Sequence, residues 1–241
     1  MQAFILAAGL GTRLQPLTNT RPKALVEIQG EPLIKIVINN LARQGATRIV
    51  VNIHHFADQM LNYLQERDWG TELIISDERD LLLDTGGGLK KAAPFFSPNE
   101  PILIHNVDVL SRLNFTEIIK QHIDSMNIAT LVTSQRSTSR YLLFDNQQQL
   151  AGWQNCKTDE IRWVRQPITD YKKMAFSGIA IVQPHILDLL PSATHPYPII
   201  PAYLEIAKDH SIRYFEHPSE AWLDVGKPET LRLAQSWRIN P

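Results

Sequence analysis

The sequence predicts an α/β protein: a mostly parallel mixed sheet flanked by helices, with a smaller lobe that contains a β-hairpin. Three observations lead there. The first third alternates short apolar, β-branched runs with segments whose apolar residues recur at helical spacing. The opening run, residues 3–8, is continuously apolar, as a parallel strand buried on both faces must be. Beyond residue 140 the pattern changes to two short strands around a polar turn. At 241 residues the chain can bury a substantial core. One domain over 1–241 is expected, with a first half to about 135 and a second half from about 136.

The elements follow in order. After the opening strand comes a glycine-containing loop, then a short apolar segment over 24–28, turned by Gln29 and Gly30. Pro32 can start a helix, because its missing N–H is not needed in a first turn; Leu33, Ile36, Val37, Ile38 and Leu41 then recur at helical spacing until Gly45. Residues 48–53 form a β-branched strand, 57–67 a helix and 72–76 a third strand. Gly86, Gly87 and Gly88 precede another helical pattern, and residues 101–105 read as a fourth buried strand. A helix over 115–125 and a strand over 128–133 complete the first half. In the second half, 141–144 and 150–153 form the hairpin, and 176–182 is a buried strand. Helices are expected from Ile186 and over 199–208, with a last one from Glu229 packed back onto the core.

Composition excludes several classes. Hydrophobic content of 44% and charged content of 20% are ordinary for a globular protein, and a formal net charge of −1 provides no footprint for nucleic acid. No run is long enough to span a bilayer, so no membrane partner is expected. Cys156 is the only cysteine, which rules out an intrachain disulfide and suits a reducing, cytoplasmic setting; an inert, partly buried thiol is expected there. His54 and His55 lack neighbouring partners for a metal and read as loop residues.

The chemistry is concentrated in the loop that follows the first strand. Gly9 and Gly11 allow a sharp turn and close approach to a ligand, since they carry no Cβ. Amides exposed in such a turn form a concave anion site, to which Arg13 and Lys23 add full positive charge. The spacing fits neither the P-loop nor the dinucleotide fingerprint. Asp108 follows the fourth strand, at the carboxyl end where open α/β sheets bind ligands.

The whole string Leu6-Ala7-Ala8-Gly9-Leu10-Gly11-Thr12-Arg13-Leu14-Gln15-Pro16-Leu17-Thr18, with Pro22-Lys23, resembles the signature of the sugar-phosphate nucleotidyltransferases. The resemblance implies a Rossmann-like mixed sheet, a nucleoside triphosphate and a sugar 1-phosphate as partners, and Mg²⁺ as cofactor. By that likeness Leu6, Ala7, Ala8, Gly9, Gly11, Thr12, Arg13, Lys23, Thr85, Gly86, Gly87 and Asn106 bind nucleotide. Asp108 and Asp224, the latter in Trp222-Leu223-Asp224-Val225-Gly226-Lys227-Pro228, would hold metal; Arg13, Lys23 and Asp108 would be catalytic. Ser177 and Gly178 would lie under the sugar.

The chain departs from the pattern in three places. Asp84 replaces a usual Glu, and Val107 a usual Gly whose absence could narrow the site. Arg165-Gln166-Pro167 lacks the usual sugar-phosphate lysine, so Arg165, Lys172 or Lys173 could supply the charge, with Lys172-Lys173 equally readable as a solvated pair. Leu83-Asp84-Thr85-Gly86-Gly87-Gly88 and Phe176-Ser177-Gly178 are most like N-acetylmuramate 1-phosphate uridylyltransferases, so UTP and N-acetylmuramate 1-phosphate are the favoured substrates. The alternatives are a GTP-dependent mannose- or heptose-1-phosphate guanylyltransferase and a catalytically silent nucleotide-sugar-binding subunit. The silent reading predicts lost carboxylates or a lost lysine, and all are present. Oligomeric state is not legible.

Overall fold

A computed structural model describes residues 1–237. Expectations for the last four residues, including any extension of the final helix, lie outside the described part. The chain opens with β1 (Gln2–Leu6) and a loop of three short 3₁₀ turns, followed by the two-residue ribbon of β2 (Glu27–Ile28) and β3 (Glu31–Pro32). Next come α1 (Leu33–Arg43), β4 (Arg48–Ile53), α2 (Ala57–Gln65), β5 (Glu72–Asp77) and α3 (Asp84–Ala92). The first half ends with β6 (Ile102–Asn106), β7 (Val109–Ser111), α4 (Phe115–Asp124) and β8 (Ala129–Ser134). The second half holds β9 (Arg140–Phe144), β10 (Leu150–Asn155), β11 (Glu160–Trp163) and β12 (Lys172–Val182). It continues with α5 (Ile186–Leu189), α6 (Ile199–Ile206), β13 (Ile212–Glu216), β14 (Trp222–Asp224) and α7 (Pro228–Ala234).

β1 runs parallel to β4 on one side and to β6 on the other, and β4 is parallel to β5. β12 then adds antiparallel to β6 and β8, and β13 lies parallel to β8, so the sheet is mixed as expected. β12 is long enough to serve two sheets. Its last residues pair with β6, while Lys172, Lys173 and Met174 pair with β9, which leads into antiparallel β10 and β11. The strand changes register between Phe176 and Ala180, and Gly178 at φ +71 takes the left-handed conformation the bend needs. The hairpin lobe therefore hangs from the same strand that borders β6.

The alternation along each strand explains the layers. Ala3 and Ile5 face the core built with α1, α2, α4 and α7, whereas Phe4 faces the core built with α3 and α6. α1 commits Leu33, Ile34, Val37, Ile38 and Leu41 to its buried stripe; full burial of one such side chain is worth roughly 1.5–3 kcal/mol. Leu231 and Ala234 of α7 join the same core, as the sequence predicts for the last helix. Among the described residues no helix is long and apolar enough to cross a membrane.

Several local expectations are corrected. The opening strand stops at Leu6, because the Ala7 and Ala8 amides turn to the Asn52 side chain and not to a neighbouring strand. Residues 24–28 split into a 3₁₀ turn and a short ribbon strand. Gly86, Gly87 and Gly88 lie inside α3, not in a loop before it. A helical glycine costs about 1 kcal/mol relative to alanine, and here contacts from elsewhere require it. A Cβ on Gly86 would stand 2.3 Å from the Tyr197 ring, and one on Gly88 2.7 Å from the Glu78 carboxylate. Cys156 is exposed, not partly buried.

Two histidines make the fold acid-sensitive. His122 is fully buried and bonded through Nδ1 to Thr130 Oγ1, and His105 is equally enclosed in β6. Burial holds both near a pKa of about 4, below the ordinary 6.5. The unfolded chain then binds more protons between those values, so stability is complete above pH 6.5 and falls as pH drops towards 4. In thermal unfolding across that window, His122→Leu should flatten the pH slope; an unchanged slope would contradict the assignment.

Candidate active site

The site is built at the carboxyl ends of β1, β4 and β6, from the loops that leave them. A cleft of about 480 Å³ is lined there by Leu6, Ala8, Gly9, Lys23, Thr85, Asn106 and Asp108. All seven are residues that the sequence reading assigns to substrate or metal. Asn52, Asp84, Val107 and Pro196 also line it.

The loop after β1 is anchored from beneath. Asn52 Oδ1 accepts from the Ala7 and Ala8 amides at 2.7 and 3.2 Å, which places Ala7 in the floor. Asn52 Nδ2 in turn donates to the Glu78 carboxylate at 2.8 Å, and the Leu83 amide donates to its other oxygen at 3.2 Å. Glu78 is fully buried, and burial raises its pKa. Sequence reasoning missed both residues. The available signal was a lone polar residue near the end of the β-branched run 48–53, one strand over from the loop.

The loop tip then folds back on itself. Gly11 has φ +67, and its carbonyl accepts from Thr18 Oγ1 at 2.9 Å. A Cβ at Gly11 would come within 2.9 Å of the Thr18 and Lys23 side chains, so the glycine lets this turn close over the start of the lysine segment. Gly9, Leu10, Thr12 and Arg13 stay exposed. Lys23 reaches inward and donates to Asp108 Oδ2; the two side chains are only 12% and 13% exposed. Arg13 Nη2 lies 3.7 Å from the same oxygen.

Asp224 is brought to Asp108 by strand pairing. β14 runs antiparallel to β7 with Asp224 opposite Val109, and the Val225 amide donates to the Asp108 carbonyl at 2.8 Å. The Gly226 amide donates to Asp224 Oδ1 at 2.7 Å. A Cβ on Gly226 would stand 2.7 Å from both Arg13 Nη2 and Asp108 Oδ2, and 2.8 Å from Asp224 Oδ1. Residues from three distant segments thus close around one glycine. Carboxylate oxygens are the donors a magnesium ion prefers, with phosphate and water completing its shell, so the two aspartates suit that ion.

Other candidates sit elsewhere. Gly86 and Gly87 give their amides to the Tyr197 carbonyl at 2.9 and 3.3 Å, and Thr85 Oγ1 accepts from the Ile199 amide at 2.9 Å. Of these three only Thr85 lines the cleft. Ser177 and Gly178 are buried below it: the Ser177 hydroxyl is bonded to His217 Nε2 at 2.8 Å, and Gly178 packs over Asn106. Arg165 lies apart from this cleft. Its guanidinium donates to the Ala207 and Lys208 carbonyls at the end of α6, and it lines a separate cleft with Asp145 and Gln166. Those free carbonyls end a helix, where a cation is favoured. Lys172 is half-buried and paired with Glu216 at 2.7 Å, and Lys173 is exposed. Val107 is buried in the core as well as lining the cleft.

A flanked parallel sheet with a charged cleft at its strand ends defines an α/β enzyme of the kind that binds ligands at strand carboxyl ends. More narrowly, the chain belongs to the nucleotidyl transferase family, whose model matches residues 2–237. An N-acetylmuramate alpha-1-phosphate uridylyltransferase of Caulobacter vibrioides is 30% identical, over 97% of this chain and 95% of that protein. A mannose-1-phosphate guanyltransferase of Debaryomyces hansenii is also 30% identical, over 95% of this chain and 62% of its own length. The crystal structure of HddC from Yersinia pseudotuberculosis complexed with GMP-PN matches with a TM-score of 0.75 at 20% identity, over 97% of both chains, and shows the shared fold. The protein is therefore an enzyme of the sugar-1-phosphate nucleotidyltransferase type.

Proposed function

We propose that the enzyme joins UTP to N-acetylmuramate 1-phosphate, releasing pyrophosphate. The observation that carries the reading is the gathering of Arg13, Asp108 and Asp224 around Gly226, with Lys23 bonded to Asp108. An acceptor phosphate oxygen attacks the α-phosphorus, and the bond to the β-phosphate oxygen breaks. The acceptor is already an anion, so no general base is needed. The work of the site is to hold two repelling anions together and neutralise the charge that develops.

Each charged residue has a part in that. Lys23, held on Asp108 and mostly withdrawn from solvent, would meet the α-phosphate. Arg13, on the exposed part of the loop, would steady the leaving pyrophosphate. Asn52 fixes the loop from below, which keeps the turn at Gly9 and Gly11 in one shape. Asp108 and Asp224 would hold Mg²⁺, which supplies charge neutralisation at the phosphates when bound. The intact set of carboxylates and cations argues against a silent subunit.

UTP and N-acetylmuramate 1-phosphate are supported by the Thr85-Gly86-Gly87-Gly88 element and by the Caulobacter relative, which matches this chain almost end to end. The Debaryomyces relative, equal in identity, keeps a GTP-dependent guanylyltransferase as the second reading. Pyrophosphate release should be measured with Mg²⁺, crossing UTP, GTP, CTP and dTTP against N-acetylmuramate, mannose, glucose and heptose 1-phosphates. One dominant signal from UTP with N-acetylmuramate 1-phosphate is the expected result. A dominant GTP signal would establish the second reading, and silence with nucleotide still bound would sink both.

A further inference from the structure

The acceptor half lacks the lysine expected near Pro167, and Arg165 and Lys172 are committed elsewhere. We propose that Arg136, laid on the Trp222 ring beside Asp224, receives an oxyanion of the acceptor sugar phosphate. This rests on the nucleotidyl-transfer reading and names the residue that stands in for the missing lysine.

Arg136 lies just beyond the end of β8 and reaches across β12, where its Nη2 donates to the Phe176 carbonyl at 2.7 Å. Its guanidinium lies 4.4 Å from the centre of the Trp222 ring. Trp222 and Asp224 are two apart on β14, so their side chains leave the same face of the strand. Along β14 the Trp222 and Asp224 backbones are about 7 Å apart, so the ring that carries the guanidinium shares a strand face with Asp224. Asp224 is the carboxylate whose charge acts on it, at a range beyond an ion pair.

Asp224 offsets the charge of Arg136 only at long range. Among the described residues no carboxylate forms an ion pair with it, and its Nε is buried without a hydrogen-bond partner. The side chain is half-buried, and burial lowers its pKa without bringing it near neutrality in any ordinary site. A half-buried guanidinium without a counter-ion is costly, and an incoming oxyanion offsets that cost with charge-assisted bonds. One nitrogen is used by Phe176 and one face by Trp222, which orients the planar fork.

The frame around it is cross-linked. Trp222 Nε1 donates to the Ser177 carbonyl at 2.7 Å, the Ser177 hydroxyl is bonded to His217, and His217 Nδ1 is bonded to the Pro218 carbonyl at 2.9 Å. Ser177 therefore acts below the surface, holding the ring on which Arg136 rests. The oxyanion can come from the phosphate or from a carboxylate on the sugar. N-acetylmuramate 1-phosphate carries both, and N-acetylglucosamine 1-phosphate carries the phosphate alone.

Wild type, Arg136→Gln and Arg136→Lys should be compared by steady-state kinetics and by calorimetric titration with each of these two compounds, with thermal unfolding as the check on folding. Arg136→Gln should raise the KM and Kd for the acceptor roughly tenfold or more while the KM for the nucleotide stays put, and Arg136→Lys should recover part of the loss. Weakening with both compounds assigns the phosphate to Arg136; weakening with N-acetylmuramate 1-phosphate alone assigns the carboxylate. A folded Arg136→Gln protein with unchanged acceptor KM and Kd overturns the proposal and leaves the activity standing. Acceptor binding lost in the variant, in a wild type that turns nothing over, sinks the catalytic reading and keeps the anion site. No binding of either compound to wild type sinks both.

Discussion

Asp108→Asn is expected to cut turnover by roughly 10³-fold, near the upper end of what one electrostatic group at a reacting centre supplies. The substitution keeps the shape of the side chain and removes its charge. That charge is what the Lys23 ammonium and, at 3.7 Å, the Arg13 guanidinium converge on. Without it the Lys23 ammonium and the Arg13 guanidinium lose the carboxylate they share, and one of the two donors suited to Mg²⁺ is gone. The backbone has independent support, since the Asp108 carbonyl still accepts from the Val225 amide and the Val107 amide still donates to Leu6. Circular dichroism should therefore stay close to wild type, while the unfolding midpoint falls because the mostly buried Lys23 loses its partner. Near-normal turnover in a folded Asp108→Asn protein would remove Asp108 from the mechanism.

Gly226→Ala should come next in size, with turnover reduced by about 10²-fold and stability changed by no more than about 1 kcal/mol. The added methyl would stand 2.7–2.8 Å from Arg13 Nη2, Asp108 Oδ2 and Asp224 Oδ1. These are the ends of flexible side chains, so they can move aside at little cost to folding. The backbone at Gly226 is not in the left-handed region and accepts alanine. What moves aside is the group of charges proposed to carry the reaction, and a displacement near 1 Å in such a group is worth orders of magnitude in rate. A stable Gly226→Ala enzyme with wild-type kinetics would show that the gathering of these groups is incidental. A variant that unfolds would instead make Gly226 a packing residue.

The parallel sheet was legible because its information is local. The strand at 48–53 matches β4 residue for residue, and the helix begun after Pro32 buries Leu33, Val37, Ile38 and Leu41 as predicted, with Ile34 in the stripe in place of the half-buried Ile36. The loop chemistry was equally local: Gly11, Arg13 and Lys23 lie close in sequence, and a strand end places Asp108 without reference to the rest of the chain. Where the reading failed, the missing information lay in a partner distant in sequence. Three glycines before a helical pattern look like a loop until Tyr197 and Glu78 press against them, and then they belong in the helix.

By itself, then, the sequence determined the class of fold, the glycine-containing loop and the strand-end aspartate, since apolar periodicity and turn chemistry act within a few residues. Only the tertiary structure decided that Asp224 meets Asp108 through the β7–β14 pairing, that Asn52 and Glu78 hold the loop from below, and that Arg165 serves the end of a helix. It also decided that Arg136, one of two arginines in a polar stretch, rests on the Trp222 ring. Charges become a site when separate strands bring them within a few ångströms, and that spacing is set by sheet register, which no short window of sequence contains.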